Sequence, residues 1–156
     1  MSINAYLLRE SALSALINAF ISLAFVYAVF GAADPLPVPG FGNYAFDFLP
    51  QSFAVALMSA LVPGLLARKA LASGRFPATL TPPVRRVVLR ALAWAVGALV
   101  VGALLISMPL WLSGIEAIGR SWGIAGKLSY GAVLGAVVTH RSLATLVASC
   151  PGRAPA

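Results

Sequence analysis

The sequence predicts an all-α integral membrane protein built as a four-helix bundle, and three observations carry that expectation. The 156 residues are 60% hydrophobic and only 10% charged, far below the roughly 25% charge of a soluble domain. Four apolar stretches are each about as long as a bilayer's hydrocarbon core is thick. Basic residues gather at alternate breaks between them, as an oriented membrane protein requires. The spans read as residues 11–31, 50–67, 87–112 and 122–139 of one membrane domain, residues 1–156.

The first span contains SALSALINAFISLAFVYAVF, with no charge over residues 11–30, which makes about 30 Å of helix. A secretory signal has a shorter apolar core of roughly 7 to 15 residues, so this run is expected to stay as a helix. Ser11, Ser14, Ala15, Asn18 and Ser22 recur at helical spacing, with Glu10 one turn before Ser14, giving the span a polar face. The Asn18 amide has donors and acceptors that hydrocarbon cannot satisfy. It is therefore expected to face another helix or a wet cavity, with interhelical glue the preferred role.

Residues 31–49 interleave Pro35, Pro37 and Pro39 with Gly40 and Gly42, which cannot sustain a helix. A loop is expected there, resting its Phe41, Tyr44, Phe46 and Phe48 at headgroup level. The second span then opens on Pro50, suited to a first helical turn, and ends at Arg68 and Lys69. Pro63 and Gly64 should kink or loosen its last third, and Ser52, Ala56, Ser59, Ala60 and Pro63 lie along one side.

Thr81, Pro82 and Pro83 read as a helix start, and the third span follows over residues 87–112. At about 39 Å it exceeds a core of roughly 30 Å, so tilt or protruding ends are expected. Arg90 can snorkel to the interface, and Trp94 and Trp111 fit the two aromatic belts. Ala91, Ala95, Ala98 and Gly102 form a small-residue stripe, the kind of surface on which membrane helices pack closely.

The fourth span opens near Trp122 and closes at His140 and Arg141. Lys127, one turn inside, is expected to snorkel outward, while Gly131 and Gly135 form a GxxxG pair. Placing the span at residues 128–149 would bury Arg141 at a cost of about 2.5 to 3.5 kcal/mol. The earlier boundary is preferred, with residues 142–149 as a helical extension.

Orientation follows from the basic residues. Arg9, Arg68, Lys69, Arg75, Arg85, Arg86, Arg90, Arg141 and Arg153 share one side, with Arg120 and Lys127 opposite; Asp34, Asp47 and Glu116 face outward. The expectation is a multi-pass protein of a bacterial-type inner (plasma) membrane with both termini cytoplasmic. So unequal a split disfavours antiparallel dual-topology dimers.

The ends of spans 2 and 4 resemble one another, GLLARKALAS from residue 64 against AVVTHRSLAT from residue 136, and RESALSAL from residue 9 is a weaker match to RRVVLRAL from residue 85. Apolar residues followed by a basic pair are common at cytoplasmic helix ends, so a duplicated two-helix hairpin is one of two even readings. It predicts contact between spans 1 and 3, or 2 and 4, across an axis normal to the membrane.

The net charge of +7 and pI near 10.6 would suggest nucleic acid in a soluble protein, but here topology accounts for the charge and no nucleic-acid partner is expected. Cys150 is the single cysteine, so no internal disulfide or CxxC site is available. No constellation of catalytic residues, metal ligands or cofactor-binding loops is present, so no enzyme activity and no cofactor is expected. No ionisable group is placed near the midplane, which argues against a coupled pump. The expected partners are the bilayer and a larger membrane protein or further copies of this chain. The leading expectation is a non-enzymatic accessory or scaffold subunit packing through its small-residue faces; the alternative is a small oligomeric permease or channel using the polar face of span 1. Ser14, Asn18, Ser22, Gly102, Gly131 and Gly135 are the candidate polar and packing positions.

Overall fold

A computed structural model of the chain describes residues 3–74 and 81–149. It is all-helical apart from one two-residue strand pair, with α1 at Ile3–Phe30, α2 at Tyr44–Ala72, α3 at Val84–Leu112 and α4 at Arg120–Ala148. Each helix is long and apolar enough to cross a membrane. Cys150, Arg75 and Arg153 lie outside the described residues.

The helices outrun the expected spans. α1 begins at Ile3 rather than near Ser11, and α4 covers both boundaries considered for the fourth span. Their polar ends are held by packing, which hydropathy does not register: Tyr6 and Leu7 of α1 join Ala67, Val87, Leu143 and Leu146 in one core cluster. This is the terminal end of the bundle, where α1 starts and α4 finishes.

α2 starts six residues before Pro50, so Pro50 lies inside the helix and the expected surface loop is too long by a turn and a half. The extra turns are helical because they are buried: Tyr44 and Phe48 pack with Leu36, and Asp47 finds a partner on α4. What remains of the loop does not rest on the outside either. Leu36 and Val38 are fully buried, and Leu36 and Pro37 (β1) pair antiparallel with Ile118 and Ala117 (β2). Phe41 alone matches the exposed aromatic of the expectation, at 84% exposure. The strand pair marks the second, or sheet, end of the bundle.

α2 also continues through Pro63 to Ala72. In α3 the backbone widens into one π turn at Ala103–Ser107. The buried face steps Val87, Ala91, Ala95, Ala98, Gly102 and then, five residues on, Ser107; a π turn accommodates the inserted residue.

The packing partners are not sequence neighbours. α1 lies along α4, α3 lies along α2, and α2 and α4 pack on each other at the centre, while α1 touches α2 and α3 touches α4 only sparsely. Spans 2 and 4 thus make one of the two contacts that a duplicated hairpin predicts, while the two helices within each hairpin touch only sparsely. The alignment that pairs residue 64 with residue 136 sets Gln51, Val55, Ser59, Pro63, Ala67 and Leu71 against Gly123, Lys127, Gly131, Gly135, Thr139 and Leu143, and all twelve are buried.

The small residues account for the close approach. Ala56 and Ala60 of α2 meet Ala91 and Ala98 of α3 beside Val138 of α4, and a side chain at Gly64 would sit 2.9 Å from Val87. Large apolar residues such as Leu16, Phe20, Val96, Leu105 and Val133 face outward, the surface a bilayer would cover.

Candidate functional site

The chemistry-bearing residues gather where α1, α2 and α4 meet. Asp47 occupies the first turn of α2, where the helix dipole favours a negative charge. Its Oδ2 accepts from Lys127 Nζ of α4 at 2.8 Å, with Lys127 fully buried and Asp47 almost so. This corrects two expectations: Lys127 does not snorkel and Asp47 does not face outward. A paired carboxylate removes the need for the ammonium to reach water, and removing charges from water is tolerable only when they are so matched.

Aromatic rings complete the lysine's surroundings. Its Nζ lies 3.8 Å from the centroid of the Phe48 ring and 5.1 Å from that of Tyr44, an electrostatically favourable approach to the ring faces. Tyr44 and Tyr130 each meet Phe48 edge-on, and the Tyr44 hydroxyl donates to the Gly123 carbonyl at 2.8 Å. Glycines make room: a side chain at Gly126 would meet the Tyr44 hydroxyl at 2.8 Å.

A ladder of uncharged polar groups continues from the ion pair toward the terminal end. Gln51, one turn beyond Asp47, donates from Nε2 to Ser22 Oγ at 2.8 Å and to the Lys127 carbonyl at 3.3 Å. Asn18 donates from Nδ2 to the Ser14 carbonyl at 2.8 Å and to Ser59 Oγ at 2.9 Å. Thr139 donates to the Ser59 carbonyl at 2.9 Å, its hydroxyl 2.8 Å from that of Ser14. From Lys127 to Thr139 the ladder covers roughly 18 Å of α4. Two of its acceptors, Asn18 Oδ1 and Gln51 Oε1, are buried with no hydrogen-bond partner among the described residues.

Ser14, Asn18 and Ser22 are therefore all interior and all in this network. The glycines are interior as well. A side chain at Gly131 would collide with Ser22 Oγ, and one at Gly135 would lie 2.5 Å from Asn18 Nδ2; Gly102 abuts Ser52 and the Tyr130 hydroxyl, which share a 2.6 Å hydrogen bond. The small-residue faces expected to meet another protein are instead consumed within the chain.

Between α1 and α2, which touch so little, a cleft of about 330 Å³ remains. Ile17, Met58 and Val62 form part of its walls, Ser14, Asn18 and Ser59 are its polar lining, and Glu10 stands at its terminal end.

At the sheet end, Asp34 Oδ1 accepts from the Arg120 backbone N–H at 3.0 Å, supplying an anion at the start of α4, where the helix dipole favours one. The Arg120 side chain donates to the Ala33 carbonyl at 3.0 Å and lies over the Tyr27 ring.

Sequence reasoning missed the Asp47–Lys127 pair. A signal was present: Lys127 falls on the four-residue stripe Gly123, Lys127, Gly131, Gly135, so a GxxxG face packed inward carries the lysine with it. No protein family, curated protein or solved structure matches this chain.

Proposed function

We propose that this chain is a non-enzymatic accessory subunit of a membrane complex, oriented with both termini in the cytoplasm, and that the α1–α2 cleft receives a transmembrane helix of its partner. One observation carries the reading. The cleft has apolar walls open to the lipid side and a polar lining in which Asn18 retains an unsatisfied acceptor. Lipid tails are as apolar as leucine and gain nothing from this polar lining, whereas a partner helix presenting a serine or threonine hydroxyl satisfies the acceptor once the buried Asn18 amide turns toward the cleft, for roughly 0.6 to 2 kcal/mol. Glu10 at the mouth suits a basic residue at the partner's cytoplasmic end. The orientation is supported by the nine-to-two split of basic residues between the two sides.

The test is site-specific photo-crosslinking in native membranes from position 58, in the cleft, against position 100, on the lipid-facing side of α3. The reading expects one protein adduct of defined size from position 58 and none from position 100. It also expects Met58→Trp, which fills the cleft, to abolish co-purification of that protein without lowering thermal stability. Identical adducts from both positions would sink it.

The rival is a small oligomeric permease or channel, and the buried polar ladder is the observation in its favour. It expects the adduct from position 58 to be a second copy of this chain. Changing Asn18 to leucine would then abolish flux while leaving assembly intact.

A further inference from the structure

At the terminal end the first turns of α3 carry Arg85, Arg86 and Arg90, with no acidic residue in the first turn. Cations at a helix N-terminus oppose the helix dipole, so this arrangement is unfavourable for α3 by itself. Arg85 and Arg86 are exposed. Arg90 instead reaches across to the last turns of α4, its Nη1 3.3 Å from the Thr145 carbonyl and 3.4 Å from Ser149 Oγ.

Because α3 and α4 otherwise touch sparsely, the space beside this crossing is open. Two adjoining shallow depressions share Arg90 and Ala93, one of about 330 Å³ formed on the start of α3 by Pro83, the three arginines and Leu89, the other of about 480 Å³ running one to two turns deeper along Trp94 and Gly97, with Thr145 of α4 at its edge. Cationic groups thus lie at one end and an apolar trough with an indole wall at the other.

We infer that this α3–α4 cleft is a binding site for an anionic phospholipid, with the phosphate held by Arg85, Arg86 and Arg90 and an acyl chain lying over Leu89, Ala93 and Gly97 against Trp94. Guanidinium groups pair well with phosphate oxygens, and a phosphate at the start of α3 reverses the unfavourable dipole interaction. Basic pockets between membrane helices recognise anionic headgroups in this way. The apolar trough is the argument for a lipid over a soluble phosphate, which would leave it unused. The inference rests on the membrane reading and is independent of any partner in the α1–α2 cleft.

The experiment uses the full chain with Trp111 and Trp122 changed to phenylalanine, both partly or largely exposed, leaving Trp94 as the sole tryptophan. Reconstituted in phosphatidylcholine vesicles, its fluorescence is titrated with brominated phosphatidylglycerol or brominated phosphatidylcholine. Each arginine near an anionic lipid is worth about fivefold in association, so the anionic lipid should quench at a mole fraction at least about tenfold lower. R85Q/R86Q/R90Q should erase the preference and R9Q/K69Q, exposed at the same end but outside the cleft, should keep it; Arg68 is left in place because its Nε donates to the Pro82 carbonyl at the start of α3. R85Q/R86Q, which spares the Arg90 bonds to α4, should weaken it at least about fivefold.

Equal quenching by the two lipids would overturn the site. So would an equal loss in R9Q/K69Q, which would mean diffuse surface charge. Displacement by inorganic phosphate beyond that by chloride at matched ionic strength would assign the arginines to a soluble anion instead. Quenching by neither lipid would overturn the site and the membrane reading together, whereas equal quenching leaves the membrane reading standing.

Discussion

Lys127 Nζ lies 2.8 Å from Asp47 Oδ2 inside the bundle, joining the second turn of α4 to the first turn of α2. The two helices could slide past one another on their small-residue stripes by one four-residue step, since both repeat at that spacing. A charge pair with a single matching partner singles out one register. We therefore assign the pair the role of registering α2 against α4, the use for which buried polar pairs are best attested.

Asp47→Asn keeps the shape but leaves the ammonium without its counter-charge. Removing one partner of a buried pair destabilises by about 3 to 5 kcal/mol, and the expected result is a loss of that size in denaturant unfolding of the detergent-solubilised protein. The double variant Asp47→Leu, Lys127→Met should recover most of the loss, because two apolar groups of similar volume leave no buried charge. A double variant as unstable as Asp47→Asn would mean that packing around the aromatic rings, and not charge, sets the cost.

Gly131 and Gly97 provide a paired test of the packing. A methyl group at Gly131 would overlap the Ser22 hydroxyl, while one at Gly97 meets nothing within 4 Å. Gly131→Ala should lower stability by about 1 to 3 kcal/mol through overpacking. Gly97→Ala should be neutral or stabilising by up to about 1 kcal/mol, since alanine is the better helix former. Unfolding midpoints of the two variants, compared at equal detergent concentration, distinguish interior close packing from a general sensitivity of glycine.

The four spans were legible because hydropathy and length are local properties of the chain, and the turn after α3 was placed at Leu112 on the same grounds. The polar face of α1 and the small-residue stripe of α3 were legible as packing surfaces, since Ser11, Ser14, Asn18 and Ser22, like Ala91, Ala95, Ala98 and Gly102, repeat at helical spacing, but that they pack within this chain was not. What escaped sequence reasoning was set by tertiary pairing. Asp47 and Lys127 are 80 residues apart, and each taken alone reads as a charge seeking water. Once they pair, the turns carrying them are free to lie inside the bundle, so α2 begins at Tyr44 and the expected loop shortens. The α1–α2 cleft escaped as well, because a hairpin's two helices are expected to pack on each other and here each prefers a distant partner.

Asp34 offers a test at the sheet end. Its carboxylate is a long-range cap on the first N–H of α4, where neither Gly119 nor any neighbour supplies a side-chain cap. Asp34→Ala should cost about 1 kcal/mol. The effect should be local: faster hydrogen exchange at the amide of Arg120, with exchange in the α2–α4 core unchanged. An equal acceleration throughout α4 would make Asp34 a contributor to global stability and not a cap.

The proposed orientation is tested by labelling with a membrane-impermeant maleimide in a Cys150→Ser background, and burial decides which positions are informative. Thr139 lies at the disputed end of the fourth span but is fully buried in the bundle. A cysteine there would be silent whichever way the protein faced. Phe41, 84% exposed at the sheet end, and Ser73, exposed beyond the last turn of α2 at the terminal end, are both accessible and lie on opposite sides. With the termini in the cytoplasm, Phe41→Cys reacts in intact cells and Ser73→Cys reacts only after the membrane is opened. The reverse pattern would invert the orientation and place the arginine cleft of α3 and α4 on the outer face. Reaction of both before opening would mean that the helices do not span the membrane, and the bundle's apolar exterior would then need a different cover.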